Sequence, residues 1–336
     1  MSQTQESMSI EGALEHLITT YGELNGSAIE ELDCEPSPLE FMQYVARNTP
    51  FVVRGGAASW RAFQEWDKDY LVSSLAGQSV NVAVTPHGNA DAPTMSPTHE
   101  SLLFAKPHEE YQLFEEFLDY IIGQETDPDF PQDAEVRYAQ TQDDNLRQEY
   151  RCLFEDVQKD IPFARIALQR PPEAVNMWVG NSRSVTATHK DNFENIYVQI
   201  RGRKHFVLLS PLHHHCMNEN HLQPATYARN PQGQLSLLPD EDTTPVPFAT
   251  WDPDHPSRNC APLSRFAQPV RVTLEPGDML YLPAMWYHKV TQSVKKNDHN
   301  GFVVAVNYWY DMNFTGPLFP TVSFLREIIL PQPASL

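Results

Sequence analysis

The sequence predicts a mainly β fold with flanking α-helices, an antiparallel barrel or jelly roll built from short strands. Three observations predict it. Prolines number 28 against 14 glycines in 336 residues, a balance that suits loops and strand edges over a helical bundle. From Val136 onward, short apolar runs recur between turn residues. Helical periodicity, by contrast, falls before residue 136 and after residue 318.

In chain order, Ile10 to Leu24 carries Ile10, Ala13, Leu14, Leu17, Ile18 and Tyr21 on one helical stripe, and Pro38 to Arg47 is a second helix. Phe51-Val52-Val53-Arg54 before Gly55-Gly56 reads as a strand and turn. Ser79 to Thr85 alternates as a strand, and Leu113 to Ile122 is helical. Residues 1–135 thus form a mixed α/β segment expected to buttress a β-rich domain at 136–318. In that domain Asn195 to Arg201 and Lys204 to Leu209 flank Gly202-Arg203, which reads as a hairpin. Val270 to Leu274, the turn Glu275-Pro276-Gly277-Asp278, Met279 to Leu282 and Phe302 to Tyr310 follow. Between them, Leu212 to Pro269 is rich in Pro, Asp, Asn and Ser and reads as a surface insertion, at about 212–269. Its His213-His214-His215-Cys216 run is expected to be a solvated loop. Phe319 to Leu330, within a terminal segment at 319–336, closes the chain as a helix that packs on its own domain or serves dimerisation.

Hydrophobic residues make up 41% and aromatics 11%, enough for a sizeable core. The net charge of −20 repels phosphate backbones and argues against a nucleic-acid partner. It suits a basic peptide, although solubility alone accounts for it. Cys34, Cys152, Cys216 and Cys260 match no zinc or disulfide spacing, in keeping with a reducing compartment. Met1 to Ile10 lacks the pattern of a signal peptide, and no apolar run approaches a membrane span. The expectation is a cytoplasmic protein with no membrane partner, present in the nucleus as well.

The chemistry concentrates in Ser184 to Asp191. His189 and Asp191 are two apart, and on a strand such positions project from one face, with Lys190 turned away. A third ligand must come from elsewhere; His288, after the strand Met279 to Leu282 and inside the run Trp286-Tyr287-His288, is the candidate. Two histidines and one carboxylate form the facial triad of non-haem iron(II) oxygenases, which leaves three octahedral positions for a bidentate 2-oxo acid and dioxygen. A zinc hydrolase favours three histidines or two with a glutamate, and no nucleophile elbow or His-Glu-X-X-His motif is present. A 2-oxo diacid also needs a cation and hydroxyl donors for its distal carboxylate. Lys204 and Thr186 fit, Tyr138 and Tyr197 have the right hydroxyls, and Asn307 could brace the site. Trp178, Trp286, Tyr287 and Trp309 are candidates to shield it.

Thr186-Ala187-Thr188-His189-Lys190-Asp191, then Asn192 to Tyr197 and Gly202-Arg203-Lys204-His205-Phe206, resemble the JmjC (Jumonji C) oxygenases. Supporting segments are Val82 to Asp91, Arg137 to Gln142, Asn176 to Gly180, Pro224 to Tyr227, Tyr281 to His288 and Ala305 to Asp311. The likeness is to the small hydroxylase branch rather than the multidomain chromatin demethylases. It implies a double-stranded β-helix, a cupin-like jelly roll. It also implies Fe(II), 2-oxoglutarate and O2 as reactants. His189, Asp191 and His288 correspond to the iron ligands and catalytic centre. Lys204, Thr186 and Tyr138, with Tyr197 and Asn307, correspond to the 2-oxoglutarate contacts. The branch further implies lysyl C-3 hydroxylation of a GTP-binding protein of the developmentally regulated class, and homodimers. Asparaginyl hydroxylation, N-methyl-lysine demethylation and a non-catalytic cupin-fold binding scaffold are the alternatives. The 212–269 insertion and Asp298-His299-Asn300-Gly301 depart from the family pattern.

Overall fold

The computed structural model describes residues 8–96, 101–296, 298 and 300–328. Most of the Met1 to Ile10 stretch, His299 and the chain beyond Ile328 lie outside the described residues. Among the described residues no helix is long and apolar enough to cross a membrane.

Eight strands form two facing sheets. One sheet holds Ala174–Gly180, Phe193–Arg201, Met279–Leu282 and Val303–Asp311; the other holds Thr186–His189, Arg203–Leu209, Val270–Leu274 and Tyr287–Ser293. The chain steps from one sheet to the other at nearly every turn, which is the winding of a cupin-like jelly roll. The expected hairpin at Gly202-Arg203 is therefore a corner. Phe193–Arg201 pairs with Met279–Leu282 and Val303–Asp311, while Arg203–Leu209 pairs with Val270–Leu274 and Tyr287–Ser293. Gly202 turns it with φ 62°, and a Cβ there would lie 2.7 Å from Val303 Cγ2. Local alternation reads the same whether the next strand pairs beside its neighbour or faces it, so the corner looked like a hairpin.

The N-terminal segment adds to the larger sheet and covers its outer face. Phe51–Val53 pairs with Met279–Leu282, and Glu30–Leu32 pairs with Phe51–Val53. The helix Pro38–Arg47 starts at Ser37, whose side chain forms a capping box with Glu40. Its Phe41 meets Phe51, Phe163 and Tyr281. The helix Ile10–Asn25 matches its apolar stripe, burying Leu14 and Ile18. Both faces of Val303–Asp311 are buried, which explains its near-continuous apolar run. Val304, Val306, Tyr308 and Tyr310 face the helices, and Ala305 faces the barrel interior with Trp178, Tyr197, Phe206 and Leu280.

The stretch Leu212 to Pro269 is folded rather than loop-like. Glu219–Arg229 pairs with Leu235–Pro239, Val246–Ala249 and Leu102–Lys106, joining the insertion to the N-terminal segment. Its polar composition reflects strands covered on one side only, as the mixed exposure of Glu219–Arg229 shows. The His213 to Cys216 run is corrected as well: it lies in a 3-10 turn, Pro211–Cys216, with His213 and Cys216 buried. His214 Nδ1 meets Tyr287 OH at 3.0 Å, and His215 Nε2 meets the carbonyl of Leu325 at 2.8 Å. The latter bond and Arg326–Glu219 dock the closing helix, Leu318–Glu327, onto its own domain.

Candidate metal centre

The two histidines come from adjacent strands. His288 and His189 are direct partners in the antiparallel pair of Tyr287–Ser293 with Thr186–His189, so the third ligand lies inside the strand that follows Met279–Leu282. Asp191 lies just beyond the strand that ends at His189, and its carbonyl accepts from Met285 N at 2.7 Å. That bond ties the turn carrying Asp191 to the turn leading into His288. Met285 itself has φ 68°, and Asn48 braces its neighbours by donating to the Ala284 carbonyl and accepting from Trp286 Nε1.

The ligand atoms of His189, Asp191 and His288 all lie within 4.8 Å of one another. Asp191 Oδ2 is 3.6 Å from His189 Nε2 and 3.7 Å from His288 Nε2. Each imidazole is held by its other nitrogen. His189 Nδ1 donates to the Ala187 carbonyl at 2.8 Å and His288 Nδ1 to the Trp286 carbonyl at 3.0 Å. This sets the tautomer and turns both Nε2 lone pairs toward Asp191, as a ligated histidine requires. Burial pushes His288 down to about 4, so it stands neutral and ready to donate. Burial works against the Asp191 carboxylate, yet the adjacent His189 brings it down to about 2. Two imidazole nitrogens and one carboxylate oxygen on one side of a cavity suit a divalent iron.

The triad opens on a small cavity of about 30 Å³. Trp178, Thr186, Tyr138, Tyr197 and Asn307 line it, so the sequence candidates converge there. Lys204, fully buried, donates from Nζ to Tyr138 OH at 2.8 Å, and the Thr186 hydroxyl bonds the same Tyr138. Its ammonium faces the rings of Tyr138, Tyr197 and Trp178 at 5.4, 5.4 and 5.7 Å. Among the described residues it has no ion pair within 4 Å, and burial alone lowers it to about 7. Gly180 keeps space beside it: a Cβ there would lie 2.7 Å from both Tyr138 and Gln292. Asn307 accepts from Trp178 Nε1 at 2.8 Å and donates to Asn195 Oδ1 at 3.2 Å.

Of the expected shielding aromatics, Trp178 and Trp309 line the cavity. Trp286 instead packs into the barrel's apolar cluster away from that cavity and donates from Nε1 to Asn48, and Tyr287 meets His214 and Lys190. Strand parity decides this for Tyr287, which neighbours His288 and faces the other way. Sequence reasoning did not single out Gln142 and Asn195, which also line the cavity. Asn195 shares parity with Tyr197 and was readable on that ground; Gln142 follows the strand Val136–Tyr138 in a loop and carried no local signal.

A cupin-like domain family matches residues 36–316. The chain is 35% identical to Lysine-specific demethylase JMJ32 of Arabidopsis thaliana over 299 residues, which is 86% of this chain and 83% of that protein. It is 35% identical to the human Bifunctional peptidase and (3S)-lysyl hydroxylase JMJD7 over 288 residues, 85% of each chain. It is 30% identical to JmjC domain-containing protein E of Dictyostelium discoideum over 317 residues, 89% of this chain and 88% of that one. With a domain match across most of its length and relatives alike over nearly their full extent, the chain belongs to the cupin-like JmjC family of 2-oxoglutarate oxygenases.

Proposed function

We propose that the protein is an iron(II)- and 2-oxoglutarate-dependent protein hydroxylase that acts on a lysine side chain. The observation that carries this reading is the meeting of His189, Asp191 and His288 near a buried ammonium, Lys204, that has no ion pair within 4 Å among the described residues. His189, Asp191 and His288 would hold the iron. Lys204, Tyr138 and Thr186 would take the distal carboxylate of 2-oxoglutarate, with Tyr197 packed against the ammonium and Asn307 bracing the wall. A buried cation facing aromatic rings and a hydroxyl is costly, and a dicarboxylate removes that cost.

When bound, the iron supplies oxygen activation coupled to oxidation of 2-oxoglutarate to succinate and carbon dioxide. The protein's own part is positional. The Nδ1 bonds of His189 and His288 keep both Nε2 atoms aimed at one point. Lys204 orients the co-substrate by its far end, and Trp178 and Trp309 exclude water from the cavity. The human relative's name supports a lysyl C-3 hydroxylation, and a GTP-binding protein of the developmentally regulated class is the finer substrate expectation. Demethylation of an N-methyl-lysine is a second reading, supported by the name and equal identity of the Arabidopsis relative. Product mass spectrometry on lysine and methyl-lysine peptides tests both. A gain of one oxygen supports hydroxylation, loss of a methyl group supports demethylation, and release of succinate with neither sinks both.

A further inference from the structure

Lys190 sits between the ligands His189 and Asp191, and its charge is directed elsewhere. The strand Thr186–His189 ends at His189, so the ladder that holds the first ligand does not reach Asp191. Beyond it, Met285 N holds the Asp191 carbonyl at 2.7 Å. The side chain of Lys190 supplies a second anchor. Its Nζ donates to Glu219 Oε2 at 3.0 Å, its one ion pair within 4 Å among the described residues.

Glu219 opens the strand Glu219–Arg229 of the insertion, and its side chain is 9% exposed. The same Oε2 accepts from Tyr287 OH at 3.4 Å, and Tyr287 directly precedes the third ligand, His288. Lys190 Nζ also stands 4.9 Å from the centre of the Tyr287 ring, which closes a triangle of three side chains. The other oxygen, Oε1, accepts from Arg326 Nη2 at 2.6 Å, on the closing helix Leu318–Glu327. One carboxylate therefore ties together the segment bearing Asp191, the residue before His288 and the last helix. None of Lys190, Glu219, Tyr287 and Arg326 lines the metal cavity, so any effect on it passes through the ligands.

Burial works against the Glu219 charge, yet Lys190 brings the carboxyl down to about 2. The dependence is mutual. Without Glu219, the half-buried ammonium of Lys190 loses its counter-charge and gains by turning toward water. That movement pulls on the backbone between His189 and Asp191, where no ladder resists it. Metal affinity is sensitive to such groups because the ligands must stay aimed at one point.

We propose that Glu219 is a positioning residue for the metal triad: its bonds to Lys190 and Tyr287 fix the placing of Asp191 and His288, and its bond to Arg326 makes that placing depend on the docked closing helix. This rests on the oxygenase reading of the site.

The test uses the full-length protein with cobalt(II) as the probe, bound under argon in the presence of 2-oxoglutarate. Calorimetry reads affinity, and the visible spectrum of the cobalt(II) reads ligand geometry, which a merely structural role leaves alone. Glu219→Gln weakens cobalt(II) by about tenfold or more and alters the spectrum, and Glu219→Asp restores part of both. Lys190→Met shows a loss of similar size. Added to Glu219→Gln it costs less than about twofold more, because both act through one ion pair. Arg326→Gln, partly exposed, weakens binding by about two- to fivefold. A Glu219→Gln protein with wild-type affinity and spectrum overturns the proposal, as do Lys190→Met and Glu219→Gln losses that add in full. An Arg326→Gln protein identical to the wild type overturns the link to the closing helix. Should Glu219→Gln fail to fold, Lys190→Met decides by the same two readings. A wild type that binds no cobalt(II) sinks the oxygenase reading and this proposal together, whereas variants that bind as well as a competent wild type sink the positioning role alone.

Discussion

The two faces of the strand Val303–Asp311 do different work on the same backbone. One face presents Val304, Val306, Tyr308 and Tyr310 to the N-terminal helices, all buried among apolar neighbours. The other presents Ala305, Asn307 and Trp309 to the barrel interior, where Asn307 links Trp178 and Asn195 beside the metal ligands. The outer face is mostly apolar packing, with Tyr308 OH donating to the Gln158 carbonyl at 2.6 Å and Tyr310 OH accepting from Ile161 N at 3.0 Å at its far end. The inner face carries a polar group in a buried place, and Asn307 there has directed partners on both sides. The comparison teaches that folding and chemistry are divided by strand parity, so substitutions one residue apart along a strand should fall on different measurements.

The largest separation is expected at the metal. His189→Ala should reduce oxygen incorporation to background and leave the urea midpoint close to wild type, because the ring is partly exposed and contributes little to the core. A large stability loss in that variant would break the division. On the outer face, Met177→Ala removes a fully buried side chain from the helix-facing cluster. It should cost about 2–5 kcal/mol of folding stability, read by urea denaturation, with 2-oxoglutarate affinity unchanged.

Smaller effects sharpen the inner face. Lys204→Met should weaken 2-oxoglutarate by about 1.5–3 kcal/mol, roughly ten- to a hundredfold in Kd by calorimetry. Its folding stability should hold or rise, since a buried unpaired ammonium is replaced by an apolar chain. The same lysine sets a pH dependence. Burial lowers its free value to about 7, and a bound dicarboxylate raises it, so binding takes up a proton above that pH. Affinity should be flat below about pH 7 and fall by up to about tenfold per unit above it. Lys204→Met should lose this slope, and a wild type without it would deny the ammonium its role. Smallest is Thr186→Val, expected to cost about 0.5–1.5 kcal/mol of 2-oxoglutarate affinity by removing one hydroxyl beside Tyr138.

Much of the site was readable before any coordinates. His189 and Asp191 declared themselves by spacing, and the polar Asn307 stood out in an apolar run for the same reason that it points inward. The resemblance carried over Lys204, Thr186 and Tyr138, and the structure brings those three side chains into one bonded group. Other features were hidden because their meaning is long-range. Gln142 reaches the site from a loop, with nothing periodic to mark it. The His213 to Cys216 run looked solvated because its partners, Tyr287 and Leu325, are distant in sequence.

By itself the amino-acid order determined which residues could ligate, which strands alternate and where turns must fall, since these follow from side-chain chemistry and a period of two. Only the tertiary structure decided which strands pair and which face each other. The pairing of His288 with His189, the corner at Gly202 and the single point shared by Lys204, Tyr138 and Thr186 all come from closing long loops into two opposed sheets. Local sequence does not encode that choice, because a strand buries the same faces whether its successor lies beside it or across the core.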